Sequence, residues 1–149
     1  MDIVLYKTVK DIGVSQKYVV NAISKTLVTL KKKGSVSISI IGQQKMRTIN
    51  REYRNIDYVT DVLSFPINTN DFFGSVIDKT YVEFGDIFIC PYQIKKQAKQ
   101  FGITYKEEFT RMLVHGVLHL LGYDHIKKKD ADNMFPLQEK IVSSIMKNM

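Results

Sequence analysis

Cysteine is nearly absent. Cys90 is the only one in 149 residues, so the chain forms no internal disulfide and offers no thiolate cluster for a metal. That usage fits a reducing compartment, and a cytoplasmic location is expected. Cys90 lies in an apolar strand pattern, which assigns it to packing. Long apolar runs are also missing. None approaches the ~18 residues of a membrane span, so no membrane association is expected. The first residues, Met1-Asp2-Ile3-Val4-Leu5-Tyr6-Lys7, turn acidic at once and are only briefly apolar, unlike a secretory signal. There are no internal repeats, linkers or low-complexity tracts. Residues 1–149 are therefore expected to form a single domain, long enough to bury a core.

Acidic residues are outnumbered, 15 to 22, giving a net charge of +7. A basic surface attracts polyanions such as RNA, DNA or anionic membranes. The lysines fall in groups: Lys31-Lys32-Lys33, Lys95-Lys96 with Lys99, and Lys127-Lys128-Lys129. Solvated helix C-termini, which favour lysine, are the simplest account of such groups. The third begins two residues after a histidine cluster, so Lys127 and Lys128 are candidate contacts to a phosphate chain.

Histidine is scarce too, and its distribution is informative. His115, His119 and His125 are the only three, all within Val114–His125. Four residues apart, His115 and His119 share one face of a helix, a turn from each other. Gly122 can take the left-handed conformation that ends a helix, returning His125 toward the pair. Three imidazoles with a fourth position open is the usual arrangement of a catalytic zinc site. One Zn²⁺ per chain is expected, with another divalent metal as the alternative. The same spacing occurs in zinc peptidases, which carry a glutamate base after the first histidine. Here that position is Gly116, so the peptidase base is missing.

Periodicity supplies the frame. Residues 2–7 read as a strand, followed by a helix with Ser15 as N-cap, a stripe of Val19, Ala22, Ile23, Thr26, Leu27 and Leu30, and Gly34 as its stop. Val36, Ile38 and Ile40 alternate with serines as a half-buried strand. A helix from about Gln43 to Arg54 follows, then a strand at Thr60–Pro66, a long loop over Ile67–Thr80, and a strand at Phe84–Cys90. Pro91 opens a helix ending near Gly102. Thr104 and Glu107 form a capping box before the histidine helix. Met134, Leu137, Ile141 and Ile145 mark a last helix, which Pro136 kinks or begins. The order βαβα, ββ, ααα predicts an α/β (α+β) fold: about four strands in a small mixed sheet, packed with about five helices.

Taken in order, Tyr53-Arg54, Thr60-Asp61-Val62-Leu63-Ser64-Phe65-Pro66, Gly85-Asp86-Ile87 and His115–His125 resemble the bacterial YbeY family of rRNA maturation factors, also described as metal-dependent endoribonucleases. The resemblance covers nearly the whole chain. It implies zinc on His115, His119 and His125, cleavage of single-stranded RNA, 3′ maturation of small-subunit (16S) rRNA, late ribosome quality control, and partners on the small ribosomal subunit. Arg54 matches the family's functionally important arginine. Two departures stand out: Asn55-Ile56-Asp57-Tyr58-Val59 lacks the family's usual lysines and proline, and Pro136 replaces a helix former.

Chemically, a divalent cation activates water and polarises a phosphoryl oxygen. Arg54, with its planar fork, suits a phosphate; the residues alone favour a structural salt bridge to Asp57, Asp61 or Asp86, and the resemblance reverses that order. Arg54, His115 and His119 are thus the catalytic candidates, and Arg54, Lys127 and Lys128 the substrate-binding ones. The general base is left open between Asp86, Asp61, Asp124 and the metal's own water. The same carboxylates are candidates to orient a ligand histidine. Ser64 reads as a strand hydroxyl bonded to backbone. A monomer is expected. The rival readings are a non-catalytic, zinc-containing assembly factor and a zinc hydrolase of peptides or amides.

Overall fold

The computed structural model describes residues 2–67 and 82–148. Most of the loop expected over Ile67–Thr80 lies outside them. Four strands, β1 (Asp2–Lys7), β2 (Gly34–Ile40), β3 (Val62–Pro66) and β4 (Val82–Ile89), form one sheet in the order β1-β2-β4-β3. The first two pairings are parallel, while β3 runs antiparallel along the edge of β4. Five helices complete the structure: α1 (Gln16–Thr29), α2 (Gln43–Arg54), α3 (Pro91–Phe101), α4 (Tyr105–Leu120) and α5 (Lys128–Asn148). The sheet is mixed and the fold α/β, as the patterning predicts.

The alternation of β2 decides the layering. Val36, Ile38 and Ile40 enter a core shared with Val19, Ile23 and Leu27 of α1 and with Phe109, Leu113 and Val117 of α4. The serines between them are only partly buried. On the other face, Met46 of α2 packs with Ile41, Leu63 and Cys90, so Cys90 has the packing role its surroundings predict. Hence α4 lies against one face of β3 and α2 against the other. Ser64 points to α4 and donates to the Gly116 carbonyl at 3.1 Å, tying the edge strand to the histidine helix.

Local signals act largely as expected. The side chains of Ser15 and Thr104 cap α1 and α4 by accepting from the amides of Tyr18 and Glu107. The stop of α1 differs. Lys31 takes the left-handed turn at φ 56°, while Gly34 begins β2, where an added Cβ would sit 1.9 Å from the Val82 carbonyl oxygen. Pro136 likewise does not begin α5, which starts eight residues earlier at Lys128.

A bulge between β2 and β4 sets the sidedness of β4. Across it, Ser35 pairs with Glu83 and Val36 with Gly85. The extra residue lets Phe84 and Ile87 enter the same core although they are three apart. Gly85 itself sits at φ +132°, with Phe65 O only 2.2 Å from where a Cβ would stand. Backbone strain and overpacking together place the cost of Gly85→Ala at roughly 3 kcal/mol or more. A denaturation midpoint equal to the wild type would show that the bulge tolerates a side chain.

Candidate metal centre

Helix α4 is buried along most of its length, and His115 and His119 stand where its surface meets a cleft. Gly122, at φ +95°, turns the chain after the helix, and the Tyr123 amide closes the turn on the Leu118 carbonyl. Asp124 then takes the amides of His125 and Ile126 on one carboxylate oxygen, at 2.6 and 3.2 Å. This small turn returns His125 to the other two. One ligand atom from each of the three rings lies within 4.8 Å of the others.

The hydrogen bonds of two rings define their free nitrogens. His115 Nδ1 is 2.7 Å from Gln138 Oε1, and His119 Nδ1 is 2.9 Å from the Tyr123 carbonyl oxygen. Carbonyl oxygens only accept, so both Nδ1 atoms carry the proton. Both Nε2 atoms are then bare, and they face each other at 2.9 Å. Burial depresses the pKa of both rings. That of His119 falls to about 4, with His115 and His125 adding to the effect. Near neutral pH, therefore, two lone pairs converge with no proton between them. A cation relieves that repulsion, and three imidazole nitrogens suit a transition metal such as zinc. The separation is slightly shorter than the ~3.3 Å of two nitrogens on one tetrahedral zinc, so a small opening of the pair accommodates the ion.

These shifts carry a pH consequence for the metal-free protein. A histidine whose pKa is lower folded than unfolded binds fewer protons in the native state. Stability then rises with pH between the two values. For His119 the window runs from about 4 to the ordinary 6.5. Metal-free protein is expected to lose stability as pH falls through that window, and His119→Gln to flatten the slope. An equal slope in both would remove burial of neutral His119 as its cause.

The histidines share a cleft of about 430 Å³ with Arg54, Thr60, Asp61, Ser64, Phe65 and Asp124. Arg54 ends α2 on the rim and is exposed. The salt bridges that would explain it are otherwise engaged or absent. Asp57 is held by Arg47 at 2.9 Å and lies 3.8 Å from Arg51, and among the described residues Arg54 makes no ion pair. Asp61 lines the cleft with one carboxylate oxygen on the Val62 amide at 2.7 Å and the other on Gln97 Nε2 at 3.1 Å.

The remaining candidates are dispersed. Asp86 is exposed on the sheet face away from α4, lining a separate hollow with Val4, Tyr6 and Ser37, and is not brought to the histidines. Asp124 serves its own turn rather than a ring N–H. Lys127 and Lys128 are exposed at the start of α5, just past His125. Sequence reasoning missed Gln138 and the Tyr123 carbonyl, which orient the rings. It also missed Phe135, 42% exposed, with its ring centroid 5.6 Å from that of His125.

Gly116 packs against β3 and β4. A Cβ there would meet Ile87 at 3.2 Å and Ser64 Oγ at 3.3 Å. Any side chain at this position would require Ile87 and Ser64 to shift.

Comparisons with known proteins agree in kind. The family model described as Endoribonuclease YbeY matches residues 6–146. A Persephonella marina protein named Endoribonuclease YbeY is 39% identical over 145 residues, covering 96% of this chain and 92% of its own. One of the same name from Lacticaseibacillus casei is 40% identical over 109 residues, covering 73% and 72%. The solution structure of a Thermotoga maritima protein superposes with a TM-score of 0.65 at 28% identity, over 96% of this chain and 88% of that one.

Proposed function

The chain belongs to the YbeY family of endoribonucleases, and from that premise we propose that it is a zinc-dependent, single-strand-specific endoribonuclease. Its substrate is small-subunit rRNA, whose 3′ end it matures, and it acts in late ribosome quality control with partners on the small subunit. It works in the cytoplasm as a monomeric single domain. Among the described residues no helix is long and apolar enough to cross a membrane.

One observation carries this reading: an arginine with no ion pair among the described residues lines the same cleft as a three-nitrogen cradle. His115, His119 and His125 would hold the ion, which supplies an activated water and polarises a phosphoryl oxygen. The protein's own residues do the rest. Arg54 offers a fork of N–H donors to a phosphate whose charge grows as the new bond forms. Asp61, anchored by Gln97 and Val62, is the carboxylate in place to accept a proton in the cleft. Phe135, beside His125, offers a surface on which an unpaired base stacks, which favours single-stranded RNA.

The lysines support the same substrate. Lys127-Lys128-Lys129 stand at the N-terminal end of α5, where a helix disfavours positive charge. Helix stability therefore does not account for them, whereas a phosphate chain entering beside His125 does. Removing both Lys127 and Lys128 is expected to lower the slope of log affinity against log salt by about 1–2, as for loss of one or two phosphate contacts on single-stranded RNA. The measurement is RNA binding across a salt series; an unchanged slope would place the RNA elsewhere. The peptidase alternative is disfavoured because Gly116 supplies no base, and a side chain there would have to displace Ile87 and Ser64. A peptide assay with a chelator control, run beside RNA cleavage, tests that choice.

A further inference from the structure

We propose that Gln138 is a positioning residue that fixes which nitrogen of His115 carries the proton, and that Arg111 sets the orientation of Gln138 through Glu139. Gln138 is 4% exposed, on the stripe of α5 that also buries Met134, Ile141 and Val142. A buried amide is two-faced: its oxygen accepts and its nitrogen donates, and rotation by half a turn exchanges them. Left alone, Gln138 could present either end to His115. Only the oxygen end leaves Nε2 bare for a metal.

Glu139 removes the ambiguity. Gln138 Nε2 donates to Glu139 Oε2 at 3.2 Å, while Oε1 takes His115 Nδ1 at 2.7 Å. An ionised carboxylate only accepts, so the amide nitrogen must face it. Arg111 keeps Glu139 in that state. Its Nη2 reaches Glu139 Oε1 at 2.8 Å and its Nε reaches Oε2 at 3.0 Å, a two-point charge-assisted contact that holds the carboxyl below its ordinary pKa. The polarity therefore runs one way: guanidinium, carboxylate, amide, imidazole.

The same guanidinium serves the opposite wall. Arg111 Nη1 donates to Glu108 Oε1 at 3.2 Å, and Gln97 Nε2 bridges Glu108 Oε2 and Asp61 Oδ2, each at 3.1 Å. Glu108, at the centre of this second branch, is only 2% exposed. Arg111 thus anchors both a ligand histidine and Asp61, a carboxylate of the same cleft.

The proposal rests on His115 being a metal ligand, but its first test does not. In metal-free protein, ¹⁵N shifts of the His115 ring report which nitrogen bears hydrogen. The wild type is expected in the Nδ1–H form. Glu139→Gln keeps the shape at a half-exposed position yet removes the pure acceptor. It should let the Gln138 amide rotate, populate the Nε2–H form, and lower zinc affinity ~10–100-fold in competition with a chromophoric chelator. Gln138→Glu retains an acceptor at Nδ1 and should keep the wild-type tautomer, whereas Gln138→Leu should lose it. A wild-type tautomer and zinc affinity in both Glu139→Gln and Gln138→Leu would overturn the proposal. Tautomer shifts in a chain whose wild type takes up no zinc would uphold the relay and remove the metal reading instead.

Discussion

His119→Ala is expected to lose the metal and RNA cleavage together. The ring supplies one of three nitrogens, and its Nε2 already meets that of His115 at 2.9 Å. Two rings cannot enclose an ion whose remaining positions must include an open one for water. The loss should exceed the ~10–100-fold that follows removal of an outer hydrogen-bond partner. Elemental analysis of purified protein gives the metal content, and a labelled single-stranded oligonucleotide gives the cleavage rate. His119 is only partly buried, so the variant should still fold, which circular dichroism checks. Full zinc stoichiometry in the variant would show that the ligand set is misassigned.

Arg54→Ala should separate what His119→Ala joins. The guanidinium is exposed and makes no ion pair among the described residues, so its removal leaves fold and metal site intact. It nonetheless lines the cleft, and in the proposed reaction it meets the charge that develops on a phosphate. Loss of one such donor costs roughly 10²–10³-fold in rate. The expected result is wild-type zinc content and thermal midpoint with cleavage reduced to that degree. Arg54→Lys should recover part of the rate, because an ammonium supplies the charge but not the planar fork. Wild-type cleavage by Arg54→Ala would remove the clamp from the mechanism.

The sequence made some parts of this site readable and hid others. The histidine spacing was readable because α4 is a regular helix and Gly122 a regular stop, so position along the chain translates directly into direction. Asp86 was not. Counted from the buried Phe84, it should share that residue's face, but the bulge at Gly85 inserts one residue and sends it to the other side of the sheet. A bulge of this kind depends on the partner strand, which local pattern does not reveal. Gln138 carried a signal that went unread: a polar residue on an otherwise apolar stripe with Met134, Ile141 and Ile145. Buried polar groups are bonded, so such a residue asks for a partner. The Tyr123 carbonyl carried none, since every residue has one. Lys31 shows the same limit in the fold, ending α1 in a left-handed turn two residues after its last helical position, where the chain already had a glycine within reach at Gly34.

The most direct test is cleavage of a defined single-stranded RNA by protein stripped with a chelator and then returned one equivalent of zinc. Cutting should vanish on stripping, return with the metal, spare a duplex of the same sequence, and stay absent when His125→Ala receives the same zinc. Undiminished cutting by the stripped protein, or full restoration in the His125 variant, would contradict a metal held by these three rings as the source of the activity.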